Sequence, residues 1–362
     1  MQDEQKTGFW LRVRRWIRKH RVLLLIILGL IVIAAGVITA LFLLQPKQVA
    51  VEQAPIVTPA PKPEPIKYYS PLTGSLVTDD AATKQAVTAI MIENSPDARP
   101  QSGLKDSGVV FEAIAEGGIT RFLVLYQEQK PQLIGPVRSV RAYYVDWLAA
   151  FNASVAHVGG SAAALAEVRN GNYRDIDQFF NSASYYRSTD RYAPHNVYTT
   201  FTRLDALNAA KGYTSSTFDG FSRKDSVKTD VPTASAIQVV ISGQLYNSTY
   251  AYDPATNLYN RSQAGAPHTD REQGQISPRV VIAMKVAEST VLEDGYRESI
   301  AAIGSGTAYI FQDGTQQTVT WTKLSKTKQI IFTDAAGADV PLARGQTWIA
   351  AVPTNGGDVT WQ

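Results

Sequence analysis

Two segments, Val109-Val-Phe-Glu-Ala-Ile-Ala115 and Thr120-Arg-Phe-Leu-Val-Leu-Tyr126, lie on either side of the pair Gly117-Gly118. Both are short and rich in β-branched and aromatic residues, and the glycines between them favour a turn. The pattern therefore predicts two strands around Gly117-Gly118. A third strand is predicted upstream at Ala86–Ile92, followed by a loop over Glu93–Gly103 that is rich in proline.

Helical patterns alternate with strand patterns downstream of these segments. The sequence predicts helices at Ala142–Asn152, Ala162–Arg169 and Thr200–Lys211, and a strand at Ala153–Val158. Ser161 stands directly before the second helix, where a serine side chain accepts a hydrogen bond from a free backbone N–H. Helix capping is therefore the expected role of Ser161, because its context, Gly-Gly-Ser-Ala-Ala, lacks the Gly-x-Ser-x-Gly nucleophile motif.

The remainder of the chain has a different pattern. A polar stretch, Gly212–Thr233, is the best internal boundary, and short alternating segments follow it between Gly, Asp and Asn turns. This half is therefore predicted to be mostly β. The segments are Ala236–Ser242, Thr249–Asp253, Leu258–Arg261, Arg279–Val286, Ala308–Gln312, Gln317–Leu324, Lys328–Phe332 and Thr347–Val352.

The N-terminal part is organised around an uncharged run, Val22–Leu44. It has the length that a transmembrane helix needs, about 20 apolar residues. A basic cluster precedes it, and basic residues remain in the cytoplasm. We therefore expect a single-pass protein of the cell membrane with residues 1–21 in the cytoplasm, a transmembrane helix at 22–44, and residues 45–362 extracytoplasmic. The basic residues are Arg12, Arg14, Arg15, Arg18, Lys19 and Arg21.

Composition excludes several classes of protein. Seven of the 35 Lys and Arg residues, but two of the 32 acidic residues, lie in residues 1–22, so the rest of the chain is slightly acidic and no nucleic-acid partner is expected. The chain has no cysteine, which excludes disulfides, thiolate nucleophiles, cysteine zinc sites and a lipid-modified cysteine. Residues 45–68 are rich in proline and are expected to form an extended linker.

Several motifs, taken in order, resemble a known family. They are Glu93-Asn-Ser-Pro-Asp-Ala-Arg-Pro-Gln-Ser-Gly-Leu104, Glu116-Gly-Gly-Ile-Thr-Arg-Phe122, Gly135-Pro-Val-Arg-Ser-Val-Arg141, Ala193-Pro-His-Asn-Val-Tyr198, Tyr259-Asn-Arg261, Pro267-His-Thr-Asp270 and Gly345-Gln-Thr-Trp348. This set is similar to the YerB-like domain of unknown function, in both its halves. Its members are often lipoproteins, and this chain departs from them in having no cysteine.

The resemblance implies an α+β protein: a layered, sandwich-like N-terminal domain and a second, β-rich C-terminal domain, here behind one transmembrane helix. We expect the N-terminal domain at residues 69–215, a linker at 216–233 and the C-terminal domain at 234–362. The family implies no established activity, so the chemistry must be argued from the residues.

Three arginines and a helix start form the first candidate site. Arg121, Arg138 and Arg141 carry guanidinium groups, which bind carboxylate or phosphate through paired hydrogen bonds. Gly159-Gly160-Ser161 opens a helix, whose free N–H groups also favour an anion. An anion site is one interpretation. The other is that the arginines brace the fold by pairing with carboxylates, among them Glu93, Glu112, Glu116 and Asp146.

Histidines supply a second candidate group. His157 and His195 have carboxylates among their possible neighbours, which suits acid–base chemistry. His195 and Asn196 lie in a predicted loop, where functional side chains are common. The histidine spacing fits no metal motif, so we expect no metal. The possible acidic neighbours are Asp175, Asp177 and Asp190.

Two functions remain open from the sequence. The first is a non-enzymatic envelope protein, attached to the membrane through residues 22–44, that binds an anionic ligand or a wall glycan, peptide or envelope protein in an Arg- and His-lined cleft. The second is an envelope hydrolase or transferase that uses Glu112 or Glu116 with His195. Neither needs a cofactor, and none is expected.

Overall fold

The protein is described by a computed structural model that covers residues 3–46, 66–290 and 298–362, with side chains from residue 9 onward. Met1–Glu64 and Pro65–Gln362 are separate compact units. The first contains the helix α1 (Asp3–Leu43), which leaves helical geometry at His20. Its segment Phe9–Leu43 is long and apolar enough to cross a membrane. The predicted linker at 45–68 lies mostly outside the described residues.

The first part of the second unit alternates strands and helices, as its pattern predicts. Its elements are β1 (Tyr68–Tyr69), β2 (Leu76–Val77), α2 (Asp80–Thr83), β3 (Thr88–Glu93), β4 (Val109–Glu116), β5 (Ile119–Tyr126), α3 (Ala142–Leu148), β6 (Ser154–Ala156), α4 (Ala162–Asn170), β7 (Arg174–Asp175), β8 (Tyr186–Arg187), β9 (Val197–Tyr198) and α5 (Phe201–Ala210).

The remaining elements are all strands, in agreement with the predicted β-rich half. They are β10 (Arg223–Lys224), β11 (Ala236–Val240), β12 (Ser248–Asp253), β13 (Leu258–Gln263), β14 (Ala266–Pro267), β15 (Thr269–Asp270), β16 (Gly274–Gln275), β17 (Val280–Val286), β18 (Glu288–Thr290), β19 (Glu298–Ile300), β20 (Gly304–Gln312), β21 (Thr315–Lys323), β22 (Ile331–Thr333), β23 (Leu342–Ala343), β24 (Thr347–Pro353) and β25 (Asp358–Trp361).

Strands from both halves form one ten-stranded sheet, in the order β22-β21-β20-β17-β24-β4-β5-β3-β6-β7. The junction is between β24 and β4, which run parallel with Thr347 beside Val109. β4 and β5 are antiparallel neighbours joined by the Gly117-Gly118 turn. The fold is thus α+β, as predicted, but the two halves share their central sheet. The domain limits at 215 and 234 stay a prediction.

Alternate residues of the large sheet face two apolar layers. On one face Met91, Phe111 and Leu123 pack with residues of α3 and α4. On the other face Ile90 and Val110 pack with α5 and with a five-stranded sheet of order β14-β13-β12-β11-β25. Side chains alternate along a strand, so a central strand that is buried on both faces is apolar throughout. Polar residues within these strands therefore stand out as candidates for function.

Candidate functional site

Arg121 and Arg141 meet at one carboxylate. Arg121, on β5, lies opposite Ala113 of β4, and both face the layer that contains α3. Its guanidinium donates to Glu116 at 2.6 Å and to the Ser139 carbonyl at 3.0 Å. Arg141, at the start of α3, donates to the other oxygen of Glu116. Two of the three predicted arginines are therefore neutralised in part by a single shared acid.

A β-bulge separates the two candidate acids of β4. In a regular strand Glu112 and Glu116 would point to the same face, because they are four residues apart. The register shifts between Ile114 and Glu116. Such a bulge redirects the side chains beyond it. Glu116 consequently reaches Arg121, whereas Glu112 contacts the opposite layer through Arg261 and Trp348.

The charges of this cluster are well defined. Burial alone would raise the pKa of Glu116, but the charges and hydrogen bonds of Arg121 and Arg141 outweigh it and the pKa is lowered. Burial likewise opposes the charge of Arg121, yet Glu116 raises the pKa of Arg121 overall. The pKa of Arg141 is lowered by burial and by the neighbouring charge of Arg121. At neutral pH two guanidinium groups thus face one carboxylate, which leaves an excess positive charge.

Arg138 and His195 meet at a second carboxylate, Glu93. Glu93 is directly opposite Arg121 in the sheet register, so the two acids belong to one charged row. Its Oε1 atom lies 3.2 Å from Arg138 Nε and 3.0 Å from His195 Nδ1, and it accepts a hydrogen bond from Ser95 at 3.1 Å. Glu93 is almost fully buried, whereas about a quarter of the Arg138 side chain is exposed. The row therefore reaches the surface at Arg138 and His195.

This second group has unused hydrogen-bonding capacity. Within the described part of the chain, Glu93 Oε2 is buried with no hydrogen-bond partner, and so is Arg138 Nε, whose approach to Glu93 has poor angular geometry. Over the same residues, no hydrogen bond joins the terminal nitrogens of Arg138 to protein. Arg138 is consequently the arginine of the row that is able to take up a new acceptor.

His195 is oriented by its carboxylate. Because Nδ1 faces Glu93, the Nε2 atom points outward, 3.9 Å from the exposed carboxylate of Asp97. Ser95 also lies at Nδ1, at 3.1 Å. A serine nucleophile would need the opposite nitrogen. Ser95 is therefore not placed as the nucleophile of a Ser–His–Glu triad, but the Nε2 atom of His195 is open to a ligand or substrate.

His157 belongs to a separate, buried network. Its Nδ1 atom donates to the Gly159 carbonyl at 2.7 Å, and its Nε2 atom lies 3.1 Å from Asp175. Asp177 accepts from Gly159 N–H at 3.2 Å and from Arg169 at 3.0 Å. This arrangement holds the loop before α4 in place, and His157 has no exposed surface.

The helix-start residues also have structural partners. Ser161 caps α4 by accepting from the Ala164 N–H at 3.4 Å, as its position predicts. Gly159 has a positive φ of 62°, and a Cβ there would come within 3.1 Å of the Phe179 ring. Gly160 lies beside Val140 in a parallel bridge, which places this loop next to the Arg138–Arg141 segment. Asn196 donates to the carbonyls of Ser188 and Arg191 and shapes the His195 loop.

A larger polar network lies in the opposite layer and joins the two halves. Arg261 donates to Glu112 at 2.8 Å and to Gln263 at 2.9 Å, and it also contacts His268. Trp348 donates to Glu112 at 2.9 Å. Burial and the charge of Arg261 hold the pKa of His268 well below its usual range, so His268 is neutral. Arg261 and Glu112 are fully buried, so they form a structural ion pair.

The structure thus pairs His195 with Glu93, not with Glu112 or Glu116. The sequence predicts Glu93 only as a possible structural partner of the arginines. Arg261, His268 and Trp348 lie in the family motifs, and the sequence pattern assigns them no chemical role. The signal that links them all is the motif set: every segment that carries the family resemblance contributes to the charged row or to the buried network.

Two of the grooves on the protein lie away from the charged row. A groove of about 610 Å³ is lined by Tyr173, Arg174 and Phe218, and another of about 400 Å³ by Tyr186 and Arg271, among others. Neither groove is lined by a residue of the charged row. Among residues 9–46, 66–290 and 298–362, no group of three or more His, Asp or Glu side chains is placed to hold a metal ion.

Comparison with known proteins decides the family. Residues 72–214 match the N-terminal domain, and residues 237–349 the C-terminal domain, of the family described as protein of unknown function (DUF3048). The putative lipoprotein YerB of Bacillus subtilis (strain 168) is 31% identical over 300 residues, covering 79% of this chain and 87% of that protein. The chain belongs to the YerB-like family. The lipoprotein relative and the apolar helix together indicate membrane or envelope association.

A solved structure agrees with the family. The crystal structure of YerB protein from Bacillus subtilis superposes with a TM-score of 0.72 at 28% identity, covering 81% of this chain and all of that one. That share of the chain is about the length of the second unit, Pro65–Gln362. The α+β fold with its β-rich C-terminal half is therefore the fold of this family.

Proposed function

We propose that this chain is a single-pass, membrane-anchored binding protein whose residues 45–362 lie outside the membrane, and that its charged row binds a carboxylate-bearing ligand of the cell envelope. The observation that carries the proposal is Arg138: it is partly exposed and its terminal nitrogens bond to no described protein atom. A guanidinium fork in this state matches a carboxylate.

Charge balance supports an anionic group. Three arginines of the row, Arg121, Arg138 and Arg141, face two buried or half-buried acids, Glu93 and Glu116. Counted without His195 and the exposed Asp97 beside it, the row therefore carries one excess positive charge. A ligand carboxylate at Arg138 would balance this charge, and the open Nε2 of His195 is able to hydrogen-bond beside it.

Exposed aromatic side chains near the row suit a glycan or peptide. Phe179, which packs against Gly159, is 67% exposed, and Tyr192, in the His195 loop, is 92% exposed. Aromatic faces stack on sugar rings and on apolar peptide side chains. A wall glycan that carries a peptide combines both chemistries with a carboxylate.

The test is a binding titration with a defined fragment. Full-length protein in nanodiscs is titrated with a muropeptide that has free carboxylates, and with the same muropeptide after amidation. We expect binding of the free acid, a large loss on amidation, and a large loss in Arg138→Gln.

Arg344→Gln is the matched control, because Arg344 has nearly the same side-chain exposure as Arg138 and pairs with Asp225. Equal binding of both fragments, or an equal effect of the two substitutions, would remove the support for this site.

One observation favours a second function. A histidine whose Nδ1 faces a buried carboxylate and whose Nε2 is open has the arrangement of a general base. His195 and Glu93 meet this description. The chain would then be an envelope hydrolase or transferase, and turnover of the same muropeptide, lost in His195→Gln, would select that function over simple binding.

A further inference from the structure

The part of α1 that precedes its kink has two different sides. At about 3.6 residues per turn, the apolar side chains fall on one side of the helix and the basic ones on the other, with Leu11 as the exception. The apolar side consists of Phe9, Trp10, Val13, Trp16 and Ile17. The basic side consists of Arg12, Arg14, Arg15, Arg18 and Lys19.

The kink at His20 divides α1 into two segments of unlike chemistry. His20 has φ −114° and ψ 15°, outside helical geometry. Its ring stacks on Trp16, with centroids 4.7 Å apart, and its Nδ1 donates to the Trp16 carbonyl at 2.9 Å. Past the kink, Val22–Leu43 is uncharged and apolar on every side. A kink at the boundary allows the two segments to take different directions in a membrane.

The side chains of the first segment match a membrane surface. Trp10 is 63% exposed and Phe9 is 62% exposed, which is unfavourable in water. Aromatic residues on one side of a helix and arginines on the other are typical of helices that lie in the interface of a bilayer. Arginines next to a membrane span are attracted by the negative surface of an anionic leaflet. The segment has both properties and is continuous with a span.

We propose that residues 9–19 form an interfacial helix that binds anionic phospholipid headgroups, with its aromatic side in the acyl boundary and its arginines at the phosphates. The inference rests on the proposed membrane insertion of residues 22–44 and is independent of the ligand site. The helix would hold the chain to anionic regions of the membrane in addition to anchoring it.

The test uses the absence of cysteine from the chain. Full-length Val13→Cys, at the centre of the apolar side, and Arg14→Cys, about 100° around the helix on the basic side, are each labelled with an environment-sensitive fluorophore and placed in nanodiscs. We expect lipid-borne quenchers to act several-fold more strongly at position 13 than at position 14 when the nanodiscs contain phosphatidylglycerol. In phosphatidylcholine alone the difference should shrink.

Charge variants make the result specific. Replacing Arg12, Arg15 and Arg18 by Gln should abolish the effect of phosphatidylglycerol, and replacing the same three by Lys should retain it. Equal aqueous exposure of both labels in every lipid would overturn the interfacial helix. Equal insertion with and without phosphatidylglycerol would overturn the binding of anionic headgroups. Failure of the muropeptide titration would affect neither the insertion of the labels nor its dependence on phosphatidylglycerol.

Discussion

The two polar networks of the large sheet use the same residue types with opposite consequences. In one, Arg261, Glu112 and His268 are sealed between the sheets, and nearly every polar atom has a partner. In the other, Arg138 and His195 reach the surface from the buried Glu93, and among the described residues Glu93 Oε2 and Arg138 Nε have no hydrogen-bond partner. An arginine–carboxylate–histidine set is therefore not by itself evidence of a functional site. Solvent accessibility and unused hydrogen-bonding capacity distinguish a binding site from a structural network.

The largest effect is expected in the sealed network. Arg261→Met leaves the Glu112 carboxylate buried without its cation, and breaking such a pair typically costs about 3–5 kcal/mol of unfolding free energy. Chemical denaturation of the full-length protein measures it. Arg261→Met combined with Glu112→Leu should recover about half of the loss, because the uncompensated charge is gone. If the double variant is no more stable than the single one, burial of an unpaired charge is not the cause.

Glu116→Gln should have an intermediate effect, about 1–3 kcal/mol, because Glu116 is half-buried and joins two arginines. The substitution also removes a pH dependence. The folded-state pKa of Glu116 is below its ordinary value of 4.5, so its contribution is fully present above pH 4.5 and is lost as the pH falls through the lower folded pKa. The stability of the variant should therefore decline less steeply in acid. Parallel acid slopes for variant and parent would contradict the assignment.

Local sequence patterns were sufficient to predict individual strands and helices, but not to predict which strands pair with each other. Strand patterns at Val109–Ala115 and Thr120–Tyr126 predicted β4 and β5 closely, because alternation and turn glycines are local signals. The pairing of β24 with β4 joins residues more than 200 positions apart, and no local pattern specifies it. The sequence pattern therefore indicated the two halves of the fold but not the sheet that they share.

The same limit applied to the site. Arg138 and His195 were predicted from residue type and loop position, but their common partner Glu93 depends on the register of β3 and on the path of the segment after Pro136. The separation of Glu112 from Glu116 depends on a bulge, which a sequence pattern does not reveal. The sequence pattern thus identified the chemical groups of the site, but not the face of the sheet to which each side chain points.

Ser161→Ala tests a residue that lies beside the row without belonging to it. Loss of an N-cap typically costs about 1 kcal/mol, and Ser161→Thr should restore most of it. Thermal unfolding of the three proteins measures the difference. Muropeptide binding should be unchanged in Ser161→Ala. A loss of binding at full stability would place the hydroxyl in the site and extend the row to the start of α4.

Arg138→Gln should have the smallest effect on stability, about 0.5 kcal/mol or less, and this completes the contrast with Arg261. Its contact with Glu93 is through Nε alone at 3.2 Å, and Glu93 keeps Ser95 and His195 as partners after the substitution. The same denaturation experiment applies, with Arg344→Gln as the control of equal exposure. A small stability change together with at least tenfold weaker muropeptide binding, about 1.4 kcal/mol, is the signature of a binding residue. If Arg138→Gln instead lost more than about 2 kcal/mol of unfolding free energy, Arg138 would be a structural residue like Arg261, and both networks would serve to stabilise the fold.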